Sequence, residues 1–180
     1  MHSETKEMRP RLASRGAALV VAAALLGLTV GAAVRSFAYY PLRVASNSMS
    51  PTVTAGDWVV IAAPRPGADV PVERGDIVLF RFPPGGDGRA IKRVVAVAGD
   101  EVRTAGPNVV LVNGAAPSYE SSPHGVDERE ISADATIRVP DGSFFILGDN
   151  LLSSVDSRSL GLLPQAEVVG KVAAVIRKPW

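Results

Sequence analysis

The chain has 180 residues, 47% of them hydrophobic, which suits one compact domain plus one apolar segment better than two independent domains. Nineteen basic residues nearly balance 18 acidic ones, leaving a formal net charge of +1, so there is no broad cationic footprint for nucleic acid and no acidic tail. The sequence has no cysteine, and its two histidines, His2 and His124, lack partners at metal-ligand spacing; disulfides and thiol catalysis are excluded, and a zinc site or a Ser-His-Asp triad has little to be built from.

Residues 1–15 form a polar tail. Gly16 to Val34 then reads GAALVVAAALLGLTVGAAV, with only Thr29 polar, and roughly 20 apolar residues suffice to cross a bilayer. A transmembrane helix is expected over 16–35. Lys6, Arg9, Arg11 and Arg15 precede it while Arg35 and Arg43 follow, so the positive-inside bias predicts a single-pass protein of the cell membrane, with its N-terminus cytoplasmic and residues 36–180 outside. Tyr39 and Tyr40 fit aromatic anchoring at the outer headgroups. A cleavable signal peptide is the competing reading, because Ser36-Phe37-Ala38 offers small residues at two positions before a cut, although the apolar stretch exceeds the usual ~7 to 15 residues.

The first polar knot after this segment is SNSMSPT, residues 46 to 52. Pro51 restricts Ser50, and the segment is expected to lie extended at a sheet edge. Ser48 would be rigidly placed there as a nucleophile. Ser46, on the same side of an extended chain, could aim its hydroxyl at an oxyanion. A serine-rich turn closing a linker explains the same residues.

Beyond Pro41 the helical period disappears. DWVVIA, DIVLFRF, AIKRVVAVA, NVVLVNG, TIRVP, SFFILG and EVVGKVAAVIR alternate with Gly, Pro, Asn and Asp clusters, which predicts a mostly β domain over 36–180. Asn113-Gly114 and Pro140-Asp141-Gly142 are turn signals. PSYESSPHGVDEREISADA, 117 to 135, reads as a solvated excursion.

Within AIKRVVAVA, alternation puts Ala90, Lys92, Val94 and Ala96 on one face, so Lys92 has small apolar neighbours. Desolvation disfavours its charged form and can make it a general base near neutral pH. A lysine snorkelling from a strand end fits the same pattern. Without cysteine or a useful histidine, a neutral Lys92 has serines to deprotonate. A third cluster, GDNLLSSVDSRSLG over 148–161, is too rich in polar types for a plain connection. Asp156 and Arg158 can pair and brace it, and Ser154 could orient a lysine amine. An Asx-type loop accounts equally well for Asp149 and Asn150.

Taken together, Ser46-Asn47-Ser48-Met49-Ser50-Pro51-Thr52, Lys92-Arg93-Val94-Val95 with Gly99-Asp100, and Gly148-Asp149-Asn150 with Ser154-Val155-Asp156-Ser157-Arg158 resemble the motifs of bacterial type I signal peptidases (leader peptidases), which use a Ser-Lys dyad. The resemblance runs from about Leu42 to Ile176. It implies Ser48 as nucleophile, Lys92 as general base, Ser46 with the Ser48 backbone N–H as oxyanion hole, and Ser154 as the residue orienting Lys92. It also implies a signal-peptidase-like β-barrel or coiled β-sheet catalytic domain. The implied substrates are exported preproteins with small residues at positions −1 and −3, cut at the lipid bilayer without metal or organic cofactor. A substrate held as an added strand would present alternate side chains to shallow pockets.

The sequence departs from the family where Leu151-Leu152-Ser153 replaces charged or amide residues and where Leu160 precedes Gly161 in place of an aromatic. Two other functions compete. One is a Ser-Lys peptidase of related fold, either a self-cleaving repressor, disfavoured because a membrane segment stands in place of a DNA-binding domain, or a maturation peptidase dedicated to one conjugation or secretion pathway. The other is a membrane-anchored β module that binds peptides without chemistry.

Overall fold

A computed structural model describes residues 18–25, 27, 37–83, 85–105, 109–117 and 135–178. The chain divides into two compact units, Met1–Phe37 and Ala38–Trp180. In the first, residues 18–25 and 27 are helical and exposed, with Leu19, Val20, Val21 and Leu25 all presenting apolar side chains outward. Among the described residues no helix is long and apolar enough to cross a membrane. Most of the expected span over 16–35 lies outside them, as do the tail at 1–15, both histidines and residues 118–134 of the polar excursion.

The second unit is antiparallel β structure. A seven-stranded sheet is ordered β1 (Phe37–Arg43), β2 (Trp58–Pro64), β10 (Val168–Ile176), β3 (Ile77–Arg81), β4 (Arg89–Ala96), β8 (Ser143–Leu147) and β9 (Leu163–Pro164). A three-stranded sheet is ordered β6 (Val109–Val112), β5 (Glu101–Ala105) and β7 (Ala135–Arg138). The large sheet does not close on itself: β1 and β9 end it on opposite sides, so of the two expected forms, barrel or coiled sheet, the closed barrel is corrected to an open sheet. β9 is only two residues long and contains Pro164, which has no N–H to offer a further strand.

Seven strands coincide with the β-branched runs. β1, β5 and the two-residue β9 do not; in β5, EVRTA, two charges in five residues interrupt the apolar pattern. β5 is stabilised by its partners: Val102 stands opposite both Val112 and Ile137, and all three pack in one core cluster with Phe145 and Leu147 of the large sheet. The turn after β6 is the one that Asn-Gly signals, with Asn113 at φ 53° and Gly114 at φ 83°, a conformation glycine adopts without steric cost.

The two faces of the large sheet bury separate clusters. Val78, Phe80, Val94, Phe144 and Ile146 form one, and Val59, Ile61, Leu79 and Ile91 form the other, as a period of two along each strand requires. β4 lies between β3 and β8 with Ile91, Lys92, Val94, Val95 and Ala96 all buried. A register shift between Val94 and Ala96 interrupts its alternation, so Ala96 packs with Val95 in the cluster against the small sheet and is not on the face of Lys92 as strict alternation predicts.

Candidate active site

Ser48 sits in a turn, not in the extended edge segment expected. The Ser50 N–H donates to the Asn47 carbonyl at 3.1 Å and the Val53 N–H to the Met49 carbonyl at 2.8 Å. Met49 and Val53 are both fully buried and pack with Val59, Ile61 and Leu79. These i→i+3 and i→i+4 hydrogen bonds fold the backbone back on itself, which an extended segment cannot do, and so replace the edge conformation expected here. The turn is pinned from two other places. Asn47 Oδ1 accepts the Ala55 N–H at 2.9 Å, and the Asn150 N–H donates to the Ser48 carbonyl at 3.0 Å. Asn150 Nδ2 also donates to the Asn47 carbonyl at 3.2 Å.

The Ser48 hydroxyl and the Lys92 amine, 44 residues apart in sequence, meet at 2.7 Å. Lys92 is only 4% exposed, and its cross-strand neighbour Val78 is fully buried. The amine also donates to the Ile91 carbonyl at 3.1 Å. Burial pushes the Lys92 pKa down, the charges of Asp156 and Asp149 pull it back up, and the net direction is down. The Ser46 hydroxyl lies 3.3 Å from that of Ser48.

The loop after β8 braces both sides of this pair. Asp149, fully buried, receives Arg93 Nε at 2.8 Å and Nη2 at 2.6 Å, a two-pronged pair, and the Thr52 hydroxyl also donates to it. Asp156 accepts the Gly148 N–H at 3.0 Å and Arg158 Nε at 2.8 Å, while Arg158 Nη2 reaches the Leu151 carbonyl at 2.7 Å. Burial raises the Asp156 pKa, but hydrogen bonds from Arg158 and Gly148 outweigh it, and the carboxyl is held below its ordinary value. Asp156 also caps the single-turn helix Ser157–Leu160 through the Arg158 N–H.

Ser154 lies next to this centre without joining it by a hydrogen bond. Its hydroxyl is buried with no well-formed hydrogen bond, and the Asp156 carboxylate is within its electrostatic reach. Gly148 is what lets it come so close: a Cβ built there would stand 2.2 Å from the Ser154 hydroxyl and 2.5 Å from the Ser48 carbonyl. Gly148, Thr52 and Arg93 are further residues of the site, which the sequence offers only as members of longer motifs. The available signal was Arg93 itself, a cation that alternation turns away from Lys92 and that therefore needs a separate carboxylate.

A cleft of about 230 Å³ runs from Ser46, Ser48 and Lys92 between β1 and the start of β4. A hydroxyl beside a buried amine, with a second hydroxyl within reach and an open cleft alongside, has the parts needed for acyl transfer by serine without histidine. These features define the class as a β-sheet protein with a serine and lysine centre. Residues 14–177 match the family model described as signal peptidase, peptidase S26. The signal peptidase I of Pseudomonas fluorescens is 31% identical over 79% of this chain and 66% of its own length, and that of Bacillus caldolyticus is 30% identical over 82% of this chain and 84% of its own. A crystal structure of a signal peptidase I from Enterococcus faecalis is 27% identical, with a TM-score of 0.43 over 59% of this chain and all of that one. The chain belongs to the signal peptidase, peptidase S26 family. Its match spans just under two thirds of the Pseudomonas relative.

Proposed function

We propose that the chain is a membrane-anchored serine endopeptidase that removes signal peptides from exported preproteins, with Ser48 as nucleophile and Lys92 as general base. The observation that carries this reading is the 2.7 Å approach of a nearly buried lysine amine to a serine hydroxyl. Neutral Lys92 accepts the hydroxyl proton as Ser48 Oγ attacks the scissile carbonyl. The oxyanion is received by the Ser46 hydroxyl and the Ser48 backbone N–H. Lys92, now protonated, gives its proton to the leaving amine, and then deprotonates the water that releases the acyl group. Ser154 is the candidate for orienting the amine, its own hydroxyl being buried and otherwise poorly bonded. Asp149, Asn150, Asp156 and Arg158 hold the loop that carries it.

Substrates would lie in the cleft as an added strand, with small residues at −1 and −3 toward its floor. The exposed apolar helix at 18–25 supports a lipid anchor extending over 16–35, with residues 36–180 outside the cell membrane. Anchoring confines enzyme and substrate to one bilayer surface and raises their effective concentration. The test is incubation of the detergent-solubilised protein with a preprotein. Wild type cleaves, and Ser48→Ala and Lys92→Ala do not; cleavage by either variant removes the dyad assignment, and an inert wild type favours a binding module.

A further inference from the structure

Both walls of the cleft beside Ser48 carry a cation. Arg43 ends β1 and Arg89 begins β4; both line the cleft and both are exposed. Arg89 Nη1 donates to the Tyr40 hydroxyl at 3.4 Å, a long bond to an uncharged acceptor that leaves the guanidinium charge unbalanced. Among the described residues no carboxylate forms an ion pair with Arg43 or Arg89. Asp87, in the turn just before Arg89, is exposed and forms none with it. The other arginines of β3 and β4 are compensated: Arg81 by Glu167 and Arg93 by Asp149.

The cleft floor is apolar. Leu42, Val44, Leu79 and Ile91 line it and belong to one core cluster, of which Val44, Leu79 and Ile91 are buried. A peptide lying there as a strand turns alternate side chains toward the floor and the others toward the rim. If −1 and −3 point down, −2 and −4 point to the rim, where the uncompensated arginines stand.

We propose that Arg43 and Arg89 form a carboxylate-selecting rim, which favours substrates with Asp or Glu at −2 or −4 and disfavours lysine or arginine there. This rests on the peptidase reading for the direction of the peptide and for where the cut falls. Exposed charge pairs are screened by water and salt, so the preference is a matter of about fivefold, not of absolute specificity.

The experiment uses the full chain carrying Ser48→Ala, reconstituted in bilayer discs of zwitterionic lipid, and labelled peptides with Ala at −1 and −3. Each peptide has Asp, Asn or Lys at −2, at −4 or, as control, at −5. Expected is about fivefold tighter binding for Asp than for Lys at an even position, no comparable difference at −5, and a fall below about twofold at 1 M NaCl. Adding Arg43→Gln and Arg89→Gln abolishes the difference, whereas Arg43→Lys with Arg89→Lys retains it, which separates charge from folding. Equal binding of Asp and Lys peptides, failure to bind any of them, or a preference surviving in the glutamine variant overturns the proposal. So does a glutamine variant that loses binding to phosphatidylglycerol vesicles while its peptide preference is unchanged, because the rim then reads lipid. Cleavage of the same peptides by wild type reports separately on the peptidase reading: cleavage without charge preference leaves the enzyme standing and removes only the rim.

Discussion

Arg93 and Asp149 tie the strand that bears Lys92 to the loop that holds Ser48. The guanidinium meets both carboxylate oxygens, at 2.8 and 2.6 Å, one residue after Lys92 and one residue before the Asn150 N–H that fastens the Ser48 carbonyl. Ser48 and Lys92 therefore share a single brace, although 44 residues separate them in sequence.

Breaking that brace is expected to cost more than an ordinary salt bridge. Asp149 is fully buried, so Arg93→Ala leaves a carboxylate without its counterion, at a cost of about 3 to 5 kcal/mol. A double-mutant cycle with Asp149→Ala, read by urea unfolding, is expected to give a coupling of about 1 to 3 kcal/mol. Additive single losses would mean that the two side chains act independently.

The lowered pKa of Lys92 sets two pH dependences. First, kcat/KM rises with pH through a limb belonging to Lys92 in the free enzyme. Asp156→Asn removes a charge that raises this pKa, so the limb moves to lower pH in that variant. A flat profile from about pH 6 to 9 counts against Lys92 as base.

Second, burying this lysine costs stability. Between its folded pKa and the ordinary value of 10.5 the unfolded chain binds more protons than the folded one, so stability rises with pH across that window. Below the window the full cost is present. Lys92→Met is accordingly expected to be inactive and yet about 1 to 3 kcal/mol more stable at neutral pH, the gap narrowing as pH approaches 10.5. Chemical denaturation of both proteins at a series of pH values measures this, and a gap that widens with pH has the wrong sign.

Gly148→Ala tests how tightly the centre is packed. The new methyl would overlap the Ser154 Cβ and the Ser48 carbonyl, each at 2.5 Å, and neither can yield without moving the turn or the loop. A loss of about 100-fold in kcat, with a smaller stability cost of about 1 to 3 kcal/mol, is the expected result. Near-normal kcat would show that the close approach is not required.

Ser46→Ala addresses the oxyanion. Loss of one donor to a developing negative charge typically costs about 10² to 10³ in kcat. KM for a peptide substrate should stay within about threefold, because the ground-state carbonyl gains little from that donor. A rise in KM at constant kcat would instead make Ser46 a binding residue.

Seven strands were legible because β-branched runs bounded by turn residues leave few other options, and Lys92 stands out as a charge within such a run. β1 was not, since Tyr39 and Tyr40 read equally well as headgroup anchors. The turn at Ser48 is not legible because Pro51 restricts only the residue before it, whereas backbone hydrogen bonds from Ser50 to Asn47 and from Val53 to Met49 close the segment into successive turns. The open sheet was also beyond local pattern: whether a curled sheet closes depends on its end strands, and β9 is two residues long.

The amino-acid sequence by itself determined the chemical inventory: serines without cysteine or a usable histidine, a lysine set in an apolar strand, and carboxylates clustered after Gly148. Only the tertiary structure decided which of them touch. Periodicity acts over a few residues, while the meeting of Ser48 with Lys92, of Arg93 with Asp149 and of Asn150 with the Ser48 carbonyl depends on strand pairing and core burial across 44 to 102 positions.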